Sequence, residues 1–288
     1  MYQSLEQIKE KAKLEQKPFW KVIIEEDMND RQVSMEESFE TTRQMYAQMR
    51  HADEVYNKEL KSASGCVGGD GEKLSEYFKK GDSLAGEYIG KIMERAVKMA
   101  ESNACMKRIV AAPTAGSCGV IPAVFITTQE RYNFSEDKMI EAMFVAAGIG
   151  AIIAHRASIS GAQGGCQAEV GSASAMAAGA LAYLHGGNDE AIVHASAIAL
   201  KNLLGLVCDP VAGLVEVPCV KRNVIGSVNA VSSADMSCAG MRSFIPPDEV
   251  IDAMGEIGEM LPYGLKETSE AGLASTPTAR SFFEKQFS

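Results

Sequence analysis

The sequence has no cluster of lysine or arginine, and its 28 basic residues are outnumbered by 38 acidic ones, giving a net charge of −10. Proteins that bind a nucleic-acid backbone gather lysine and arginine on one face, so a main role in binding DNA or RNA is excluded. Long apolar runs are missing as well. The alanine-rich uncharged stretches, 142–154 and 170–184, are shorter than the about 18 apolar residues that a membrane span needs, so no transmembrane segment is expected.

The N-terminus lacks the apolar core of a secretory signal, since residues 1–17 read MYQSLEQIKEKAKLEQK. We therefore expect the protein to be cytoplasmic, where the cell keeps thiols reduced. Seven cysteines are present, and an odd number cannot pair completely. The remaining interpretations are free core thiols, metal ligands or a reactive thiol.

Alternating patterns typical of strands are scarce, and the sequence predicts a mainly α-helical protein. Residues 1–61 are highly charged and predict helices, one of which begins after a Ser34–Glu37 capping box. Residues 139–205 are rich in small and apolar residues at helical spacing, which indicates buried central helices. We expect a charged N-terminal helical segment, 1–61, packed on the core, and a helical domain, 62–288, that carries the functional site.

Two further stretches complete the helical interpretation. The segment SASGCVGGDG, 62–71, predicts a loop, and without a preceding strand or a following GK[ST] it is not a nucleotide-binding loop. Helical spacing resumes over 74–104. Near the end, PPDEVIDAMGEIGEML predicts a helix with proline in its first turn and a core-facing side made of Val250, Met254, Ile257 and Leu261.

The cysteines differ in their surroundings. They occupy positions 66, 105, 118, 166, 208, 219 and 238. Cys105 and Cys238 are predicted to be small buried apolar residues. Cys66 and Cys118 lie in glycine-rich loops. The other three, in GGCQAE, VCDPV and VPCVKR, occupy turn-like backbone where thiolates from distant segments can converge.

The spacing of these three cysteines does not identify a metal by itself. Cys166, Cys208 and Cys219 are separated by 42 and 11 residues, which matches neither the paired cysteines of zinc fingers nor the spacing of ferredoxins. Metal ligation and simple packing both stay open at this point. A zinc site that adds His185 or His194 is a further alternative.

Longer motifs carry more information than spacing. These are APTAGSCGVIPAV (112–124), SGAQGGCQAEVGSASAMAAGA (160–180), GLVCDPVAGLVEVPCVKRN (205–223) and LKETSEAGLASTPT (265–278). Together, in this order, they resemble the iron–sulfur-dependent L-serine dehydratases, also called L-serine ammonia-lyases. The resemblance implies an all-helical catalytic domain, the α subunit of the two-chain form, and a separate β subunit as its partner in a heterodimer.

The resemblance also implies a cofactor. The three cluster cysteines of the family correspond to Cys166, Cys208 and Cys219, which would hold a [4Fe-4S] cluster. With three thiolates, one iron keeps an exchangeable position and serves as a Lewis acid for the serine hydroxyl. Removal of the α-proton then gives pyruvate and ammonia, a step of amino-acid degradation. Alternatives are L-cysteine desulfidation at the same cluster, a non-catalytic structural zinc protein, and an electron carrier.

The substrate residues are predicted less sharply. The PTAGSCG loop offers backbone donors with Thr114, Gly116 and Ser117 for the substrate carboxylate, although an ordinary turn has the same composition. Lys266 is a candidate carboxylate partner or catalytic base, or a solvated lysine.

Asp209 and Arg222 flank cluster cysteines and either tune them or form a local ion pair. Two departures from the family pattern concern the substrate loop and the ending. Ala115 stands where some relatives have asparagine, and the ending FFEKQFS lacks the cysteine with which some single-chain relatives cap the cluster.

Overall fold

The computed structural model describes residues 2–81 and 83–287, with side chains as far as residue 285. Met1 begins the predicted N-terminal segment and Ser288 ends the predicted helical domain, and both lie outside the described residues. Thirteen α-helices are described: α1 (Leu5–Glu15), α2 (Phe19–Arg31), α3 (Met35–Glu54), α4 (Asp70–Lys79), α5 (Gly86–Ala104), α6 (Val120–Tyr132), α7 (Glu136–Arg156), α8 (Gly161–Gly164), α9 (Ser172–Leu184), α10 (Asp189–Lys201), α11 (Cys219–Cys238), α12 (Pro247–Met260) and α13 (Pro277–Phe287).

The prediction of an all-α fold is confirmed. Within 2–81 and 83–287 the structure has no strand, and the only extended pairing is an isolated bridge between Cys208 and Lys266. A π-helical turn, Gln167–Gly171, joins α8 to α9. Short 3-10 turns lie at Val211–Gly213, Tyr263–Leu265 and Gly272–Ser275.

Helix α9 forms the centre of the molecule. Twelve of its thirteen residues are buried, and it packs against α7, α10 and α11. Alanine and glycine dominate its sequence, because small side chains allow neighbouring helix axes to approach closely. By length and composition, helix α7 could cross a membrane, contrary to our expectation. However, 67% of its apolar 18-residue stretch is buried inside the protein. It is therefore a core helix.

Local signals explain where several helices begin. Ser34 accepts from the Glu37 amide and the Glu37 carboxylate accepts from the Ser34 amide, which is the predicted capping box. Pro247 opens α12 as predicted, and Val250 and Met254 are buried on its inner side. Helices α1 to α3 contribute residues such as Phe19 to the same hydrophobic core as α7 and α9.

The continuous helical stretch predicted over 74–104 is wrong. The structure divides it into α4 and α5, with a break after Lys79. Gly81 and Gly86 have φ values of +77° and +66°, a left-handed conformation that ends or precedes a helix and that glycine adopts without steric cost. Periodicity alone did not reveal this break, because the apolar spacing resumes in phase on its far side.

One close approach fixes the start of α6 against α5. A Cβ atom added to Gly119 would lie 2.5 Å from the backbone oxygen of Ala96 and 3.0 Å from the Asn223 side-chain oxygen. We expect Gly119→Ala to lower the free energy of unfolding by about 1–3 kcal/mol, since backbone must move to relieve the clash. Gly171→Ala is the control, because its Cβ would meet nothing closer than 3.4 Å. Urea denaturation of both variants checks the difference, and equal stability would contradict it.

Candidate metal and substrate site

Three separate segments bring cysteines to one place. Cys166 follows α8, Cys208 lies on the isolated bridge with Lys266, and Cys219 is the first residue of α11. The backbone of Cys208 is held on both sides, because its N–H donates to the Leu265 carbonyl at 2.9 Å and its carbonyl accepts from Glu267 at 2.8 Å. All three thiols are free and buried, with 2%, 2% and 7% of the residue exposed.

The donor atoms of this site lie close together. The Sγ atoms of Cys166 and Cys208 and a carboxylate oxygen of Glu169 are all within 4.8 Å of one another. Cys219 lies outside that tight group. It is still near enough for the negative charges of Cys166 and Glu169 to raise the pKa of its thiol. The structure thus brings the three predicted cysteines to one region and adds a carboxylate that sequence reasoning missed.

The π-helical turn directs Glu169 into the site. It carries Glu169 on the turn between Cys166 and α9, and π-turns of this kind occur frequently at functional sites. Glu169 is the one charged residue in the otherwise uncharged stretch 160–184. That isolation within a buried apolar sequence is the signal that could have identified it.

The three thiols do not share one acidity. The interaction between the neighbouring side chains of Cys208 and Cys166 lowers the pKa of Cys166 and raises that of Cys208, and the nearby Arg222 guanidinium lowers the pKa of Cys166 further. Burial raises the pKa of Cys219 to about 12. Burial also raises the pKa of Glu169, although a hydrogen bond from Thr114 opposes that shift. The contact with Arg222 therefore favours the thiolate form of Cys166.

Arg222 connects the cysteine loops. Its Nη1 atom lies 3.3 Å from Cys166 Sγ and donates to the Val207 carbonyl at 2.8 Å, while Nη2 donates to the Asp209 carboxylate at 2.9 Å. Asp209 also accepts from the Leu273 amide at 2.8 Å. The predicted ion pair between Asp209 and Arg222 is therefore present, and Arg222 also contacts Cys166.

The predicted substrate loop lies beside Cys219. The Asn223 side chain donates to the carbonyls of Gly116 and Cys219 at 2.9 and 3.0 Å and accepts from the Gly119 amide at 2.8 Å. A Cβ atom on Gly116 would lie 3.1 Å from a Glu169 oxygen, so the loop and that carboxylate are neighbours.

Within the loop, Thr114 Oγ1 and Ser117 Oγ are 3.0 Å apart, and Ser117 is fully buried. Among the hydrogen bonds of the described residues, none is donated by the backbone amides of Ala115, Gly116 or Ser117. These three consecutive N–H groups precede α6 and are available to a bound anion.

The glycine-rich segment 62–69 is a structural loop fixed against the same region. Ser62 donates to the buried Glu216 carboxylate at 2.8 Å, and Ser64 donates to it as well. Glu216 precedes Cys219 by three residues, so this carboxylate joins the glycine-rich loop to a cysteine-bearing one. At the other end, Glu101 accepts from the Gly71 amide at 3.1 Å and holds the start of α4.

Lys266 and the histidines are occupied elsewhere. Lys266 Nζ contacts the Glu259 carbonyl at 3.4 Å, at the edge of a groove of about 680 Å³ beside α12. His185 stacks edge-on against Tyr132, with ring centroids 4.7 Å apart, and His194 accepts from the Ser243 amide at 3.2 Å. The potential metal group found in the described part of the chain contains no histidine.

The remaining cysteines are dispersed. Cys118 is buried, with Sγ 3.9 Å from the Met99 carbonyl. Cys66 is exposed, as expected of a residue in a loop. The prediction that Cys238 is buried is wrong, since it is exposed at the last residue of α11, and Cys105 just after α5 is only half-buried. Helix ends turn toward solvent, which the sequence environment of these cysteines did not reveal.

The sequence is similar to that of proteins from one family. A family model described as the serine dehydratase alpha chain matches residues 14–274. The chain is 46% identical over 287 residues to the probable L-serine dehydratase, alpha chain, of Bacillus subtilis (strain 168), an alignment that covers 100% of this chain and 96% of that protein. It is 46% identical over 214 residues to the L-serine dehydratase, alpha chain, of Peptoniphilus asaccharolyticus, covering 74% and 73%.

A third relative is the probable L-serine dehydratase, alpha chain, of Latilactobacillus sakei. It is 55% identical over 186 residues, covering 65% of this chain and 89% of that protein. These matches confirm the resemblance that the sequence motifs indicated. The chain belongs to the serine dehydratase alpha chain family.

Proposed function

We propose that this chain is the catalytic α subunit of an iron–sulfur-dependent L-serine dehydratase, a lyase that converts L-serine into pyruvate and ammonia. The observation that carries the proposal is the meeting of buried free thiols from separate loops beside a loop with three available backbone N–H groups. The names of the relatives support serine as substrate and a β chain as partner. The proposal includes a cytoplasmic location, where these thiols stay reduced.

The donor set suits a [4Fe-4S] cluster held by Cys166, Cys208 and Cys219. All three thiols are buried and free, and Fe–S clusters are bound by thiolates. Arg222 supplies a positive charge beside Cys166, which favours the ionised sulfur. When bound, the cluster supplies a Lewis-acid iron that makes the substrate hydroxyl a better leaving group.

The chain's own groups bind and orient the substrate. The amides of Ala115, Gly116 and Ser117 are proposed to receive the carboxylate of L-serine, because consecutive N–H groups in a turn form an anion-binding concavity. Thr114 and Ser117 hold the shape of this turn through their hydroxyl contact. Asn223 fixes the turn relative to Cys219. A substrate carboxylate bound by the turn would therefore be held at a fixed distance from the cysteine site.

Loss of the α-proton and of the hydroxyl leaves aminoacrylate, which tautomerises to an imine and hydrolyses to pyruvate and ammonia. Lys266 stays the proposed base or carboxylate partner, because its backbone pairs with that of Cys208. For this role its Nζ, which contacts the Glu259 carbonyl at 3.4 Å in the structure, would have to turn from the groove beside α12 into the site. The β subunit is proposed to close the site from outside. Excluding water strengthens each electrostatic contact with the substrate.

The proposed function is tested with the chain and its β subunit, reconstituted anaerobically with iron and sulfide. We expect pyruvate from L-serine at a higher kcat/KM than from L-cysteine, with D-serine as the stereochemical control. Faster turnover of L-cysteine would favour a desulfidase. A colourless protein that binds zinc and releases no pyruvate would support the structural zinc alternative and contradict the proposal.

A further inference from the structure

We propose that Glu169 binds the α-ammonium group of the substrate and makes the site selective for amino acids over hydroxy acids. This inference rests on the proposed function, because it concerns recognition of L-serine. It concerns a residue of the chain itself and requires no group beyond those of the proposed site.

Two glycines, Gly161 and Gly116, leave room for the Glu169 carboxylate. A Cβ atom at Gly161 would lie 2.6 Å from one carboxylate oxygen, and a Cβ atom at Gly116 would lie 3.1 Å from the other. Any side chain at Gly161 would displace the carboxylate. The same added atom at Gly161 would lie 3.2 Å from Cys208 Sγ, so the glycine, the carboxylate and the thiol form one contiguous surface.

The charge of Glu169 is uncompensated by the protein. Glu169 takes part in none of the ion pairs formed among the described residues, and its one side-chain hydrogen-bond partner is Thr114. The charged group that acts on it is Glu267, which is also negative and raises the pKa of Glu169 together with burial. Arg222 is engaged by Asp209 and Cys166. Glu169 is half-buried between two buried thiols. A partly desolvated carboxylate without a cation is unfavourable, and a substrate ammonium would supply the missing charge.

The position of Glu169 suits a zwitterion. In an α-amino acid the carboxylate and ammonium are attached to one carbon, so their binding groups must be neighbours of opposite polarity. The N–H groups of 115–117 and the Glu169 carboxylate meet this condition at Gly116. The thiols of Cys166 and Cys208 lie within 4.8 Å of a Glu169 carboxylate oxygen, so a substrate whose ammonium is bound there would have its hydroxyl-bearing carbon near them.

The test compares wild type, Glu169→Gln and Glu169→Asp in the anaerobically reconstituted αβ protein. Calorimetry measures the binding of two unreactive ligands: L-alanine, which has the ammonium group, and 3-hydroxypropanoate, which lacks it. Glu169→Gln removes the negative charge opposite the ammonium, so it should weaken L-alanine binding about 10- to 100-fold. Binding of 3-hydroxypropanoate should be unchanged or tighter, and Glu169→Asp should restore part of the affinity for L-alanine.

Iron and sulfide contents are measured for each variant and should match those of wild type. Equal weakening of both ligands, or loss of iron from Glu169→Gln, would overturn the inference, because it would mean that Glu169 supports the cluster or the pocket shape. The two claims fail separately. A wild-type protein that releases no pyruvate from L-serine contradicts the proposed function, whereas an active wild type with unchanged selectivity in Glu169→Gln contradicts only the inference.

Discussion

Cys208→Ala will lose bound iron and will lower deaminase activity by more than about 100-fold, beyond the 10- to 100-fold that an outer-sphere change costs. Cys208 is buried, its backbone is held by Leu265 and Glu267, and its Sγ lies within 4.8 Å of both Cys166 Sγ and a Glu169 oxygen. The measurement is iron content and pyruvate release from L-serine after anaerobic reconstitution.

Two other cysteines are matched controls for this experiment. Cys105 is half-buried after α5 and Cys238 is exposed at the end of α11. Alanine at either position should leave iron content and activity nearly intact, since the charged groups that act on Cys105 and Cys238 include none of Cys166, Cys208 and Cys219. Wild-type activity in Cys208→Ala would refute its assignment as a ligand.

Arg222→Met will lower the free energy of unfolding of the iron-free protein by about 3–5 kcal/mol, the usual cost of removing one member of a buried ion pair. The side chains of Arg222 and Asp209 are 13% and 5% exposed, so the remaining carboxylate would be left in a poorly solvated place. The Val207 carbonyl would lose its donor as well. Urea denaturation of the iron-free chain measures the change independently of any cofactor.

The adjacent residue provides the control. Lys221 is 79% exposed and pairs with Asp70 at 3.6 Å, an arrangement of the kind that contributes about 0–1 kcal/mol. Lys221→Met should therefore change stability by no more than about 1 kcal/mol. If both variants lost the same small amount, the network through Arg222 would not hold the cysteine loops together.

The sequence predicted helices well where a local signal exists. The Ser34–Glu37 capping box and Pro247 each mark a helix start, because these residues satisfy or tolerate the free N–H groups of a first turn. The break between α4 and α5 was missed, since it depends on glycines in left-handed conformation, and sequence spacing does not report φ.

The site was only partly predictable from the chain. Separations of 42 and 11 residues between Cys166, Cys208 and Cys219 fit no general metal motif, and only the resemblance of whole segments indicated a shared role. Glu169 was missed because its place among the thiols depends on a π-helical turn and on the packing of distant loops. Asn223 was missed for the same reason, as its partners lie up to 107 residues away.

Iron and acid-labile sulfide analysis of the anaerobically purified protein is the most direct measurement of the central claim, that Cys166, Cys208 and Cys219 jointly hold an iron–sulfur cluster. The account predicts about four iron and four sulfide per chain, a brown colour, and loss of all three when any one of these cysteines is replaced by alanine. Zinc in place of iron, or full deaminase activity in a chain that holds no iron, would contradict it.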